Sequence, residues 1–78
     1  MKTYKVTMAN GTVLTRKSNE EYTHAWLLTK NGNNFQHGFA KSFEKAQNQA
    51  KRWENFLKKI ASERGEKVEL ETTVAIVN

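Results

Sequence analysis

The chain of 78 residues contains no cysteine, no proline and no aspartate, and it contains only four glycines. Without cysteine, disulfide bonds, thiolate catalysis and most structural zinc sites are excluded, and a reducing cytoplasmic location is expected. No apolar run has the length of a signal sequence or a membrane span. The sequence therefore predicts a soluble protein with one domain over residues 1–78 and with no membrane partner.

Negative charge is scarce relative to positive charge, and the imbalance is uneven along the chain. Thirteen Lys and Arg residues against eight Glu residues give a net charge of +5. Residues 1–62 hold eleven basic and four acidic side chains, a net charge of +7, whereas residues 63–78 have a net charge of −2. This distribution favours a polyanionic partner such as nucleic acid, and the alternative is an ordinary basic domain with solvated charges.

Residues 2–17 predict a first β-hairpin, because β-forming residues alternate with polar ones on both sides of Asn10-Gly11. This dipeptide is typical of a two-residue type I′ turn. In the resulting register Lys5 lies opposite Arg16 on a polar, basic face. The core face is expected to hold Tyr4, Val6, Met8 and Val13.

A second hairpin is predicted from two runs, residues 22–30 and 35–41, joined by a turn around Gly32. The predicted register pairs Trp26 with Phe39 and places most of the aromatic residues on one face. That face consists of Tyr22, His24, Trp26, Leu28, Phe35, His37 and Phe39. It can be read as the core of the sheet, which we favour, or as a platform on which bases of nucleic acid stack.

From Phe43 onward the apolar period becomes helical, with Ser42 as the N-cap and Gly65 as the residue that ends the helix. The apolar stripe is formed by Phe43, Ala46, Ala50, Trp53, Leu57 and Ile60, with Phe56 and Ala61 beside it. Residues 67–78 predict a last strand, whose apolar end favours a central place in the sheet or a homodimer contact. The fold class is thus α+β, with the order β-β-β-β-α-β: an antiparallel or mixed sheet of about five strands with one long helix packed on one face.

Basic side chains recur on the polar side of the predicted helix at intervals of seven residues. Together with Asn and Gln neighbours, such a ridge can follow a phosphate backbone without reading much sequence. The predicted nucleic-acid contacts are Lys45, Arg52 and Lys59 on this ridge, Lys51 and Lys58 in a neighbouring row, and Lys5 and Arg16 on the first hairpin. The alternatives are a solvated helix face and a surface for an acidic protein partner.

Catalysis by the two histidines is disfavoured by their predicted separation. His24 and His37 lie four residues apart along the predicted ladder, or about 13 Å, which is too far to share a metal ion or a proton. No Gly-rich phosphate loop and no Ser-His-acid pattern accompanies them. We therefore expect no enzyme activity, no catalytic residue, no metal site and no cofactor.

Two segments resemble known protein families. "GFAKSFEKA", residues 38–46, resembles the hairpin–helix junction of the arm-binding domains of phage integrases, in which the sheet enters the major groove of DNA. "RKSNEEYTHAW", residues 16–26, resembles small accessory proteins of tailed phages, which often bind and block a host factor. The resemblance implies a viral inhibitor of a nuclease, a toxin or a CRISPR complex, acting in the host cytoplasm.

The sequence thus favours a non-catalytic basic protein that binds nucleic acid, RNA more than DNA, through the helix ridge. The resemblance to phage accessory proteins implies that in this role it is a phage inhibitor of host defence. The alternative is a protein–protein interaction module, of the antitoxin or anti-CRISPR kind, without direct nucleic-acid contact. A homodimer through the C-terminal strand is compatible with both functions.

Overall fold

A computed structural model describes residues 1–77 and contains five strands and one helix in the predicted order. The elements are β1 (Lys2–Thr7), β2 (Val13–Ser18), β3 (His24–Lys30), β4 (Asn33–Ala40), α1 (Phe43–Arg64) and β5 (Leu70–Ile76). The α+β class is therefore confirmed. Asn78, the last residue of the predicted final strand, lies outside the described residues.

The strands form two antiparallel sheets where the sequence predicted one. β1 and β2 form a two-stranded sheet, and the second sheet has the order β4-β3-β5. The β1–β2 hairpin covers one face of the three-stranded sheet, and α1 covers the other. The central strand β3 is accordingly buried on both faces over Ala25–Leu28.

Each face of the three-stranded sheet has its own core. The buried residues on the hairpin side are Tyr4, Val6, Met8, Leu14, Ala25, Leu27, Phe39 and Val77. The buried residues on the helix side are Trp26, Leu28, Ala40, Ala46, Ala50 and Leu57. Half of the second set is alanine, and the two alanines of the helix, Ala46 and Ala50, let its backbone approach the sheet closely.

The first hairpin has a three-residue loop, which makes the predicted two-residue turn wrong. The Gly11 N–H donates to the Met8 carbonyl oxygen at 2.9 Å, and the Met8 N–H donates to the Thr12 carbonyl oxygen at 2.8 Å. Gly11 has φ 88°, whereas Asn10 keeps a negative φ. This is a type I turn followed by a glycine bulge, and a type I′ turn would need positive φ at both positions.

The extra loop residue shifts the register of the hairpin by one position. Leu14 lies opposite Val6 and is buried, whereas Val13 is exposed, the reverse of the prediction. Lys5 lies opposite Thr15, and Arg16 lies opposite Tyr4. The predicted Lys5–Arg16 pair is therefore wrong, because a one-residue shift moves every side chain of β2 to the other face relative to β1.

The second hairpin also departs from the predicted register. Its turn consists of Asn31 and Gly32, both with positive φ, which is the pattern of a type I′ turn. Trp26 lies opposite Gly38 where Phe39 was predicted, and the register shifts at a bulge near Leu28. The bulge adds one residue to β4, and the sequence pattern contains no sign of it.

The predicted aromatic face is consequently divided between the two sides of the sheet. Trp26 packs against α1, whereas Phe39 packs with Tyr4 and Tyr22 on the hairpin side. A base-stacking platform made of the predicted face is therefore excluded. The interpretation of these aromatics as core residues is confirmed for Trp26 and Phe39, which are both buried.

The last strand lies at an edge of the sheet, so its predicted central position is wrong. β5 pairs with β3 alone. Val74 packs on the helix side, and Ala75 and Val77 pack on the hairpin side. This segment has apolar residues on both faces because the sheet is covered by the helix on one face and by the first hairpin on the other.

The helix matches its prediction closely. The Ser42 side chain accepts a hydrogen bond from the Lys45 N–H, and Gly65 ends the helix with φ 67°. Phe43 in the stripe and Phe56 beside it are the exceptions, since each is 51% exposed. Over residues 1–77, no helix combines the length and the apolarity that crossing a membrane requires.

Candidate nucleic-acid interface

A groove follows the outer edge of β4, between the first hairpin and the helix. We call it the β4 groove, and its volume is about 520 Å³. Its lining residues are Arg16, Tyr22, Trp26, His37, Gly38, Phe39, Ala40, Lys41, Lys45 and Gln49. Three separate parts of the chain thus contribute a cation to one concave surface: β2, the β4–α1 connection and α1.

Gly38 and Trp26 form the floor of the β4 groove. A Cβ atom on Gly38 would lie 2.7 Å from the Trp26 Nε1 atom, so this position has room only for hydrogen. The Trp26 indole N–H donates to the Gln49 side-chain oxygen at 2.9 Å, which joins the central strand to the helix. The floor is therefore a packed and hydrogen-bonded part of the fold.

The cation on the hairpin side of the groove is held by aromatic packing. The Arg16 guanidinium lies 5.2 Å from the centre of the Tyr22 ring. A guanidinium over an aromatic face keeps its charge while its orientation is restricted. The register shift described above places Arg16 on this side of the hairpin and leaves Lys5 on the outer side, away from the groove.

Lys41 is the one groove cation with an acidic partner among residues 1–77. Its ammonium lies 2.5 Å from a carboxylate oxygen of Glu20. This hydrogen bond, and then the positive charge of Lys41, holds the pKa of Glu20 below its usual range. The same hydrogen bond, and then the negative charge of Glu20, raises the pKa of Lys41. Both side chains are more than half exposed, so the pair is solvated and easily opened by a competing anion.

The helix cations fall into two rows on different sides of α1. Lys45 lines the β4 groove, and the spacing of seven residues keeps Arg52 and Lys59 on the same side. Lys51 and Lys58 line a second groove, which lies between α1 and β5 and has a volume of about 390 Å³. Lys51 and Lys58 thus form a row of their own, as the sequence predicts, and the two rows face different parts of the surface.

The second groove has a mixed charge. Glu54 lies between its two lysines in sequence and also lines it. The Glu54 carboxylate accepts a hydrogen bond from the Thr72 hydroxyl at 2.6 Å, which holds it beside β5. A polyanion meets a fixed carboxylate here, so the β4 groove is the better candidate for binding phosphates.

All seven predicted contact residues are exposed, and their charges are free of acidic partners within residues 1–77. The two ion pairs of this region join Lys2 to Glu21 and Lys41 to Glu20. The predicted residues Lys5, Arg16, Lys45, Lys51, Arg52, Lys58 and Lys59 take part in neither pair. Lys41 and His37 also line the β4 groove, although the helical spacing in the sequence could not indicate them.

A group of partly exposed aromatic side chains lies farther along the same side of the helix. Trp53 is in edge-to-face contact with Phe35 at 5.9 Å and with Phe56 at 6.0 Å between ring centres. We call Phe35, Trp53 and Phe56 the aromatic patch. Arg52 lines a shallow depression of about 250 Å³ together with Trp53 and Phe56.

The two histidines lie on opposite faces of the three-stranded sheet. His24 alternates with Trp26 on the helix side and contacts the Phe43 ring, at 5.9 Å between ring centres. His37 lies opposite Leu27, whose side chain packs on the hairpin side. Three residues, about 10 Å, separate them along the ladder, where four were predicted. In residues 1–77 no three His or Glu side chains come close enough to hold a metal ion.

Comparison of the chain with protein-family models, with curated proteins and with solved structures found no match. The geometry and charge of the surfaces described above are therefore the basis on which a function can be assigned.

Proposed function

We propose that this protein is a non-catalytic nucleic-acid binder that holds the phosphate backbone along the β4 groove. The observation that carries the proposal is the convergence of Arg16, Lys41 and Lys45 on this groove from three parts of the chain. Arg16 and Lys45 have no acidic partner within residues 1–77, so their like charges repel in the unbound protein and a polyanion would relieve that repulsion; Lys41 would join them by exchanging Glu20 for a phosphate. Arg52 and Lys59 extend the same line of charge along the helix.

The dimensions of this surface suit several consecutive phosphates. Lys45 and Lys59 are fourteen residues apart on one helix, which corresponds to about 21 Å at 1.5 Å per residue. Backbone contacts of this kind supply affinity and position, but they carry little sequence information. The proposed ligand is therefore recognised by charge and shape.

RNA is favoured over a specific DNA site. Reading a DNA sequence requires an element that enters the major groove and presents side chains to base edges. Both faces of the three-stranded sheet are covered, one by α1 and one by the β1–β2 hairpin. The mode implied by the resemblance to integrase arm-binding domains, with the sheet in the major groove, is thus not the one that we propose.

The proposal is tested by the salt dependence of binding. The variant Lys45→Gln/Arg52→Gln/Lys59→Gln should bind an RNA oligonucleotide more weakly, and its log affinity should fall less steeply with log salt concentration. The slope should decrease by about 0.7 for each single-strand phosphate contact that is lost.

The matched control is Lys51→Gln/Lys58→Gln, which removes charges from the second groove on the other side of the helix. It should keep most of the affinity. Equal losses in the two variants would assign the effect to net charge alone, and an unchanged slope in the triple variant would remove the helix from the interface.

A second candidate function is a protein-binding inhibitor, of the kind that the phage resemblance implies, acting in the host cytoplasm. The observation that favours it is the order β4-β3-β5, which leaves an outer edge on both β4 and β5 for pairing with another strand. Ile76, at the end of β5, is 69% exposed. Partner capture or homodimer formation through this edge should be lost in Ile76→Lys, and capture that persists in this variant would exclude the β5 edge.

A further inference from the structure

The aromatic patch exposes apolar surface that the fold does not use. Phe35 is 43% exposed and Phe56 is 51% exposed, although both touch the half-buried Trp53. Phe39, by comparison, lies in the same strand and is only 5% exposed. Surface aromatics that are grouped in this way indicate a binding site more often than isolated apolar residues do.

The bulge in β4 puts Phe35 into the patch. Asn34 lies opposite Thr29 and Gln36 lies opposite Leu28, so Phe35 is the additional residue between them. The Asn34 side chain is hydrogen-bonded to the first hairpin, through Asn10 and Thr12, on the other face of the sheet. The bulge thus directs the ring of Phe35 towards the helix, and bulges commonly reorient side chains at functional sites.

Cations frame the aromatic patch. The Lys30 ammonium lies 6.0 Å from the centre of the Phe35 ring, and Arg52 lines the depression beside Trp53 and Phe56. A ligand that fits this surface has a flat, polarisable group next to negative charge, which describes a nucleotide. A second copy of the chain fits less well, because a symmetric contact would bring these cations close to their own copies.

We propose that the aromatic patch stacks an unpaired base of a single-stranded nucleic acid whose backbone follows Lys45, Arg52 and Lys59. This inference rests on the proposed function and specifies its ligand. Bases in a duplex are already stacked and paired, so their faces are not available to the patch. The protein should accordingly prefer single strands to duplexes of the same sequence.

The test compares two helix phenylalanines of equal exposure. Phe56 and Phe43 are each 51% exposed, but only Phe56 belongs to the aromatic patch. Affinities are measured for a single-stranded RNA of about 12 nucleotides, for its duplex and for an abasic strand of equal length, which retains the phosphates. Circular dichroism checks that each variant is folded.

Phe56→Ala should weaken binding of the single-stranded RNA about 5- to 150-fold, the range for the loss of one stacked base. Phe43→Ala should bind as the unchanged protein does, and Phe56→Tyr should restore binding because it retains the ring. The unchanged protein and the three variants should bind the abasic strand with the same affinity, since no base is present to stack.

Three results would overturn the inference while leaving the proposed function intact. Phe56→Ala and Phe43→Ala could weaken binding of the single-stranded RNA equally, or the unchanged protein could bind the duplex more tightly than the single strand. Phe56→Ala could also weaken binding of the abasic strand as much as it weakens binding of the RNA. A homodimer that dissociates in Phe56→Ala would also overturn it, because the patch would then hold a second copy. If the unchanged protein binds none of the three ligands at low salt, the proposed function itself fails, and the inference fails with it.

Discussion

The two faces of the three-stranded sheet bury their side chains in different ways. On the hairpin side, Tyr4, Tyr22 and Phe39 form a cluster with ring centres 5.3 to 6.2 Å apart, and the Tyr4 hydroxyl donates to the Glu20 carbonyl oxygen at 2.6 Å. On the helix side, three of the six buried residues are alanines, and they lie with Leu28 and Leu57 around Trp26. The core on the hairpin side therefore encloses aromatic rings. On the helix side, the helix backbone lies close to the sheet and leaves less space for large side chains.

This difference explains where the exposed aromatics lie. A helix that packs through Ala46 and Ala50 leaves little space beneath it, so large side chains at its margins project beyond the sheet. Phe43 and Phe56 are exposed for this reason. The same residue type thus contributes to stability on one face and is available for binding on the other.

The largest expected effect comes from removing an aromatic residue on the hairpin side. Phe39→Ala should lower the free energy of unfolding by about 3–5 kcal/mol, because the residue is 5% exposed and its loss leaves a cavity. Phe35→Ala, in the same strand, should cost less than about 1 kcal/mol. Urea denaturation measures both, with Phe39→Leu as a milder variant if Phe39→Ala does not fold. Equal costs for the two alanine variants would contradict the distinction between the faces.

Close packing on the helix side should make Gly38 sensitive to a single methyl group. Gly38→Ala should lower the free energy of unfolding by about 1–3 kcal/mol, since its Cβ atom would lie 2.7 Å from the Trp26 Nε1 atom. The same substitution in a Trp26→Phe background should cost less, because the indole ring is gone. A double-mutant cycle by thermal unfolding measures the coupling, and simple additivity of the two changes would show that the contact does not matter.

The N-cap stabilises the helix that covers one face of the sheet, and its removal should lower the free energy of unfolding by less than the two changes above. Ser42→Ala removes the side chain that accepts from the Lys45 N–H and should cost about 1 kcal/mol. Ser62→Ala, in an exposed position near the end of the same helix, is the control and should be close to neutral. A loss in the control as large as that in Ser42→Ala would mean that the cap does not stabilise the helix.

The smallest expected effect is the acid sensitivity of two surface ion pairs at the margin of the sheet. Contacts with Lys41 and Lys2 lower the pKa of Glu20 and of Glu21, respectively, below the unfolded value near 4.5. Their contribution is therefore present above about pH 4.5 and is lost as the pH falls through the lowered values. In Glu20→Gln/Glu21→Gln the melting temperature should fall slightly less between pH 6 and pH 3 than it does in the unchanged protein. Thermal scans at several pH values measure this difference. A profile identical to that of the unchanged protein would exclude a role for these pairs.

Periodicity and capping residues were sufficient to predict the order of elements, the bounds of the helix and the α+β class. The strand registers could not be predicted in this way, because they depend on loop geometry that differs by one residue. Asn-Gly occurs in both hairpins, yet the turn is type I′ at Asn31-Gly32 and part of a longer loop at Asn10-Gly11. The contacts of Asn10 with Thr12 and Asn34 indicate that packing between the two hairpins favours the longer loop.

Only part of the candidate site could be predicted, again because strand registers and bulges cannot be derived from the sequence pattern. Exposed cations at helical spacing can be identified from the sequence, as Lys45, Arg52 and Lys59 were. Their relation to Arg16 depends on the hairpin register, and the position of Phe35 depends on a bulge with no sequence signal. The β4 groove and the aromatic patch therefore emerge only from the three-dimensional structure.

The most direct test of nucleic-acid binding is to purify the protein from cells without nuclease treatment and to analyse it by size-exclusion chromatography at low and at high salt. Absorbance at 260 and 280 nm is recorded across the elution. We expect an early complex with high 260 nm absorbance at low salt that separates into protein and RNA at high salt, since phosphate contacts weaken as salt rises. A protein peak free of 260 nm absorbance at both salt concentrations would contradict nucleic-acid binding and would favour a protein partner.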